Sequence, residues 1–204
     1  MINLGNSDSM YMLFTKAFKK VMLTMCMVFF GCAMTQAQVA IKNNLLYDAA
    51  TTPNLGVEIG LTKKTTAQVV YGLNPWKFSD TKQMRHWVVM PEYRWWTCSR
   101  FNGHFFGVHA MGGEFNVQGI KDPLKMIHDI DRSRYEGWFV GGGVTYGYQW
   151  ILSKHWNFEA ALGFGYDYIQ FKKYECGVCG TFAKQDHTDY IGVTKLALSL
   201  EYLF

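Results

Sequence analysis

Residues 137–171 read GWFVGGGVTYGYQWILSKHWNFEAALGFGYDYIQF. Apolar side chains return at every second position through two long runs. In the first, Trp138, Val140, Val144, Tyr146, Tyr148 and Trp150 face one way, and Phe139, Gly141, Gly143, Thr145, Gly147 and Gln149 face the other. In the second, Trp156, Phe158, Ala160, Leu162, Phe164, Tyr166 and Tyr168 oppose Glu159, Ala161, Gly163, Gly165, Asp167 and Ile169. A period of two defines a strand, and helical spacing does not fit. The short joint LSKH makes the pair a hairpin. One face is bulky and apolar, while the other mixes small residues with charge. The bulky face must escape water, and the small face must be crowded.

The pattern recurs. Residues 39–48 form a first, imperfect strand. Leu55, Val57, Ile59 and Leu61 alternate over 55–62, and Ala67, Val69, Tyr71 and Leu73 over 65–73. Residues 86–97 carry Trp87, Val89, Tyr93 and Trp95 on one face, with Glu92 and Arg94 on the other. Residues 104–117 are strand-like, with Gly112 and Gly113 suggesting a bulge. Pro91 falls mid-strand, where it removes a ladder donor, and a second bulge is expected there. Residues 190–204 supply the eighth strand, with Leu196, Leu198, Leu200, Tyr202 and Phe204 on one face. Only the loop at 120–131 suggests a helical turn.

Connections mostly alternate in length, with the first, DAATTPN, a weak case. TKKT, CSRFNG and LSKH are tight, whereas NPWKFSDTKQMR and the stretches 118–134 and 174–188 are long. Eight strands with loops sorted by length make an all-β, eight-stranded antiparallel up-and-down barrel. An even strand count with short turns at one end is the outer-membrane pattern. Hydrocarbon offers backbone groups no water, and a closed sheet has no edge to satisfy. Two aromatic belts fit two membrane interfaces: Trp95, Trp150, Trp156, Tyr202 and Phe204 near the tight turns, and Tyr71, Trp87, Trp138, Tyr168 and Tyr190 near the long loops. A soluble ligand-carrying barrel would put its apolar face inward. Here the small residues suit the interior of eight strands, which is just wide enough for side chains. The bulky face then looks out at lipid.

The N-terminus fits this location. Lys16, Lys19 and Lys20 precede the apolar run VMLTMCMVFFG, and Thr35 and Ala37 precede a cut ahead of Gln38. That is the three-part pattern of a cleaved secretory signal. Acylation at Cys32 is the rival reading. Residues 1–37 are therefore read as extension and signal, and 38–204 as the barrel. Both barrel termini fall at the tight-turn end, in the periplasm. The formal charge of +4, without a run of Lys and Arg, excludes a nucleic-acid binder.

Three stretches carry a resemblance: NNLLYDAATTPNLGVEIGL, NPWKF followed by RHWVVMPEYRWWTC, and FNGHFFGVHAMGGEFN. They resemble a family of small outer-membrane barrel proteins of Bacteroidetes-type bacteria, known as a domain of unknown function. The resemblance spans nearly all of 39–204. It implies an outer-membrane location and a link, through some members, to fimbrial or surface-adhesion systems. It supplies no catalytic residues, and Cys176-Gly-Val-Cys179 is not part of the pattern.

Several groups are candidates for chemistry. Lys42, Glu58, Glu92, Arg94, Glu159, Asp167, Lys195 and Glu201 should point into the lumen. They are read as a packed salt-bridge network, since unpaired charge there is costly. The competing reading is an ion path, which a narrow barrel disfavours. His86, His104, His109, His128, His155 and His187 do not cluster in sequence. A lipid A deacylase or acyltransferase needs a nucleophile and a base within reach, and only Ser79 and His86 share a junction. Cys176 and Cys179 are read as a loop disulfide, with a zinc site completed by Asp186 and His187 as the alternative. Cys98 lies at the opposite end, beyond the reach of a disulfide. Tyr202 and Phe204 resemble the terminal signal read by barrel-assembly machinery. The expectation is a non-enzymatic outer-membrane protein, without cofactor, contacting lipid and lipopolysaccharide, whose long loops serve surface binding, adhesion or envelope organisation.

Overall fold

The computed structural model describes residues 38–79, 82–119, 133–174 and 182–204. The signal segment 1–37, the expected helical turn at 120–131, His128, and the Cys176–Cys179 loop lie outside the described residues. Among the described residues there are nine strands: β1 (Val39–Asn44), β2 (Asn54–Gly60), β3 (Thr65–Asn74), β4 (Lys77–Ser79), β5 (Lys82–Trp96), β6 (Gly103–Gln118), β7 (Arg134–Ile151), β8 (Trp156–Tyr174) and β9 (Phe182–Leu203). Eight of them form one antiparallel ring, each paired with its sequence neighbours, with β9 returning to β1 and β3 meeting β5. The ninth, β4, folds back on β5 as a small ribbon in a long connection. Among the described residues, no helix is long and apolar enough to cross a membrane.

The two faces sort as the alternation predicts. Val57, Val69, Phe106, Val144, Phe164 and Leu196 are exposed on the outside. All eight charged residues assigned to the lumen are buried, none more than 7 % exposed. Glycine makes the tight curvature possible at the centre of β7 and β8. Gly143 and Gly165 are register partners on the inward face, and a Cβ on either would sit 2.7 Å from the other's Cα.

Four local expectations give way. The first strand stops at Asn44, whose side chain caps a short helix, α1 (Leu45–Ala49), by accepting from Leu46 N–H at 3.1 Å. No bulge sits at Gly112 and Gly113, where β6 keeps one register with β5 and β7. None sits at Pro91 either. Pairing of β5 with β6 lapses at Met90 and Pro91 and resumes in the same register, because the proline lacks only a donor. Instead β9 shifts register near its start, between the pairs Tyr174↔Phe182 and Lys173↔Lys184, and bulges at Thr194, between the pairs Gly163↔Lys195 and Phe164↔Val193. The extra residue reverses the face parity above it. Tyr190 therefore packs inward against Tyr135, Ile169 and Phe171 rather than joining the outer belt.

Strands β6 to β9 also run well past the alternating apolar segments. The last connection shrinks to 175–181, because β8 continues to Tyr174 and β9 resumes at Phe182. The wall is thus tall on the β6–β9 side and short on the β1–β3 side.

Candidate functional site

The lumen is built in tiers. Its floor is apolar. Phe101 holds a left-handed backbone (φ 60°), unusual for a bulky residue, and its ring packs with Ala40 and Leu203 at the tight-turn end. The Trp96 indole lies 6.0 Å from the Phe101 ring and 4.8 Å from the Phe105 ring. Gly147 leaves the space that the Phe105 ring fills.

Charge fills the next tier. Arg94 lies 4.2 Å above the Phe105 ring. Its guanidinium grips Glu159 through two bonds, Nη1–Oε2 at 2.6 Å and Nη2–Oε1 at 2.9 Å, and reaches Glu58 at 3.0 Å and Glu92 at 3.2 Å. Such a fork suits a planar carboxylate. Lys42 Nζ sits 2.5 Å from Glu58, 2.7 Å from Glu201 and 3.0 Å from Glu159. Lys195 pairs with Glu92, which also accepts from Gln68. Gln149 donates to Glu201 at 2.7 Å, and Thr66 donates to Glu58 while accepting from Trp96 Nε1 at 2.9 Å. These groups come from strands on opposite sides of the ring, so the network ties the wall across its middle. Asp167 stands apart, and its Oδ1 has no hydrogen-bond partner among the described residues.

This tier contains the one arrangement among the described residues able to hold a metal ion. Oxygens of Glu58, Glu159 and Glu201 lie within 4.8 Å of one another. The Lys42 ammonium bonds all three, so the protein's own cation takes that position. Above it, His109 bridges Thr145 and Thr194 at 2.9 Å on each ring nitrogen, and the Thr194 bulge aims one of those hydroxyls.

The upper lumen on the tall side is apolar, with Tyr135, Ile169 and Phe171 buried and Phe115, Val117 and Phe139 packed on them. A cavity of about 690 Å³ opens at this level, bounded by β3 and β5 to β9. Asn74, His86, Phe115, Gly137 and Phe171 share the inward register there. At the rim Arg134 bridges Glu136 at 2.9 Å. Tyr174 donates to Glu136 at 3.1 Å, a bond that holds its phenol above the ordinary value.

The remaining candidates stay dispersed. His86 contacts Thr52 Oγ1 at 3.4 Å, His104 meets Tyr146 at 2.7 Å, and His155 meets the Leu203 carbonyl at 3.0 Å. His187 stacks on Tyr168 on the outside. The Ser79 side chain is not among those described. Cys98 is free and exposed in a tight turn. The Tyr202 and Phe204 rings meet edge to face at 5.0 Å, and Phe204 N–H donates to the Val39 carbonyl at 2.9 Å. Sequence reasoning missed the Phe101 floor, the His109 bridge and the mouth cavity. Of these only Phe101 left a trace, as an aromatic residue inside a tight turn.

No curated protein matches the chain. The family described as "Protein of unknown function (DUF3575)" matches residues 21–204, nearly the whole length, and the chain belongs to that family.

Proposed function

We propose that this protein is an integral outer-membrane barrel that does not conduct and that presents a binding mouth to the exterior. One observation carries the reading: a closed ring exposes a continuous apolar face while its charges are sealed inside. Water penalises such an exterior at about 25 cal/mol per Å², whereas acyl chains do not. Trp95, Trp150 and Trp156 at the tight-turn end, and Tyr71 and Trp138 toward the long connections, are exposed on that face at the heights of two interfaces. Tight turns belong to the periplasm and the tall wall to the outside. Lipid and lipopolysaccharide are then the outward contacts, and Tyr202 and Phe204 are the assembly signal.

A floor of three aromatic rings and an interlocked charge tier support a structural role over an ion path. The mouth cavity and the tall wall support surface binding, adhesion or envelope organisation, including contact with a fimbrial or adhesion system. Among the described residues, the histidines that meet a threonine hydroxyl, His86 with Thr52 and His109 with Thr145 and Thr194, do so on the lumen side, away from the acyl chains that a lipid-modifying enzyme would attack.

Heat-modifiable gel mobility and alkali-resistant membrane fractionation test the placement, with protease accessibility of the long connections on whole cells. A stable folded monomer in detergent-free buffer overturns it.

A further inference from the structure

Two of the tight turns repeat one design. Leu61-Thr62-Lys63-Lys64-Thr65 joins β2 to β3, and Leu152-Ser153-Lys154-His155-Trp156 joins β7 to β8. In the first, Leu61 and Thr62 N–H donate to the Thr65 carbonyl at 2.9 and 3.2 Å. In the second, Leu152 and Ser153 N–H donate to the Trp156 carbonyl at 2.9 and 3.0 Å. The hydroxyls hold the turns: Thr62 Oγ1 accepts from Lys64 N–H and Ser153 Oγ from Trp156 N–H, both at 3.2 Å. An exposed leucine and an exposed lysine thus take matching positions in each. The β5–β6 turn adds Arg100. Its N–H donates to the Lys63 carbonyl at 3.0 Å and its Nη1 to the Thr62 carbonyl at 3.3 Å, which gathers Lys63, Lys64 and Arg100 into one patch. Residues 61–66, 97–104 and 151–157 contain no Asp or Glu. The carboxylates on the adjoining strands, Glu58, Glu92, Glu159 and Glu201, are buried in the charge tier, which leaves these turns a cationic surface. Exposed tryptophans border it: Trp95 is in register with Thr65, and Trp156 closes the second turn.

We propose that the tight-turn end is a collar for anionic phospholipid. Its lysines meet headgroup phosphates, while Leu61, Leu152, Trp95 and Trp156 enter the top of the acyl layer. The collar rests on the outer-membrane reading above, which puts these turns at the periplasmic leaflet. Tryptophan is favoured at the membrane interface. Each Lys or Arg near an anionic membrane surface strengthens the attraction about fivefold, and salt screens it. The anionic cell-wall polymer is the weaker candidate. Lys63 and Lys154 each follow an exposed leucine by only two residues, so turns this short hold their ammonium groups at headgroup height instead of extending them into the periplasm. The other end of the barrel lacks this one-signed character, since Arg134 there is bridged to Glu136.

The test uses the full chain in phosphatidylcholine vesicles, with spin-labelled lipids as probes. Labelled phosphatidylglycerol should associate with the barrel about fivefold more strongly than labelled phosphatidylcholine at low salt. The preference should shrink in about 1 M salt. Lys63→Gln combined with Lys154→Gln leaves the Arg100 bonds in place and should lower the ratio at least about twofold. Arginine at both positions should preserve it, and Lys172→Gln, at the other end of β8, should leave it unchanged. Heat-modifiable mobility retained in every variant shows that the barrel still closes. A ratio that survives the double glutamine variant, or that falls as far in Lys172→Gln, overturns the proposal. So does equal association of the two labels, and binding to purified cell-wall sacculi that the double variant loses would then give the turns to the polymer. A wild type that fails to enter vesicles, read by alkali extraction, fails the membrane reading and the collar with it; entry without a lipid preference fails the collar alone.

Discussion

The lower and upper halves of the lumen solve the same crowding problem with opposite chemistry. Below, three cations and four glutamates interlock across the ring, and Lys42 of β1 reaches Glu201 of β9 across the closing seam. Above, rings lean on one another, with Tyr135 5.4 Å from Phe171 and Phe115 6.4 Å from Phe139. The lower half is closed by wall and floor, so every charge must find its partner inside. The upper half opens at the mouth, where apolar contacts tolerate an adjoining cavity. Ion pairs demand particular partners and so specify register and closure. Ring contacts are less exacting and leave room for a visitor.

The sharpest way to break this contrast is Arg94→Met. It removes the cation shared by Glu58, Glu92 and Glu159 and leaves their charge to Lys42 and Lys195. Removing one member of a buried ionic cluster costs about 3–5 kcal/mol. Urea unfolding of the protein in vesicles, followed by tryptophan fluorescence, should show that loss. Adding Glu159→Gln should restore part of it, since one orphaned charge disappears. If Arg94→Met costs no more than Lys154→Met in an exposed turn, the lower half is not held by matched charge.

Next is the contrast between inside and outside. If lipid covers the outer face, as proposed, Leu198→Arg places a cation in it and should cost about 2–4 kcal/mol near mid-membrane. Ala197→Arg, one residue away, overpacks the floor of the lumen instead. The two should separate by environment: Leu198→Arg should be tolerated better in detergent micelles than in a bilayer, while Ala197→Arg should fail in both. Equal tolerance of arginine at Leu198 and at Lys154 would reverse the assignment of faces.

That assignment was legible because β7 and β8 repeat their period over many residues, and because all eight lumen charges fall on the positions opposite the bulky ones. The tiers were not legible, since alternation fixes which face a residue takes but not its height or its neighbour across the ring. Tyr190 reads as outward because nothing in Gly192-Val193-Thr194 announces a bulge, and the inserted residue reverses the faces from Val193 upward. Pro91 suggests a bulge because a missing donor and an extra residue disrupt a ladder alike, and the sequence does not tell them apart. The helix after Asn44 hid in LLYDA, whose apolar residues continue the first strand's pattern. The upper parts of β6 to β9 are polar on their outward side, so they read as loop.

Between the halves, just beyond the last β1–β9 pair, the Asn44 side chain accepts from Leu198 N–H and donates to the Leu196 carbonyl, both at 3.1 Å, and a smaller substitution can probe it. Asn44→Ala leaves the Leu198 N–H and the Leu196 carbonyl without their partner. An orphaned backbone group away from water costs about 1–3 kcal/mol. Amide exchange at Leu198 should accelerate more than exchange on the β7–β8 ladder, marking the seam as the place where the ring first opens. Unchanged exchange at Leu198 would mean that the seam ends lower, at Ser199.

The smallest expected effect belongs to the upper half. Ile169→Val removes one methylene from the packing of Tyr135 and Phe171 and should cost about 0.5–1.5 kcal/mol. The low end is favoured physically, because rings bordering an open cavity shift more freely than groups locked in an ion-pair lattice. The variant should close and run on gels as the wild type does, with heat-modifiable mobility intact. A loss above about 3 kcal/mol, in the range expected for removing Arg94, would make the mouth as exactingly specified as the charged tier. The adaptable upper half would then be a second rigid plug, and the cavity beside it a gap in packing rather than a place for a ligand.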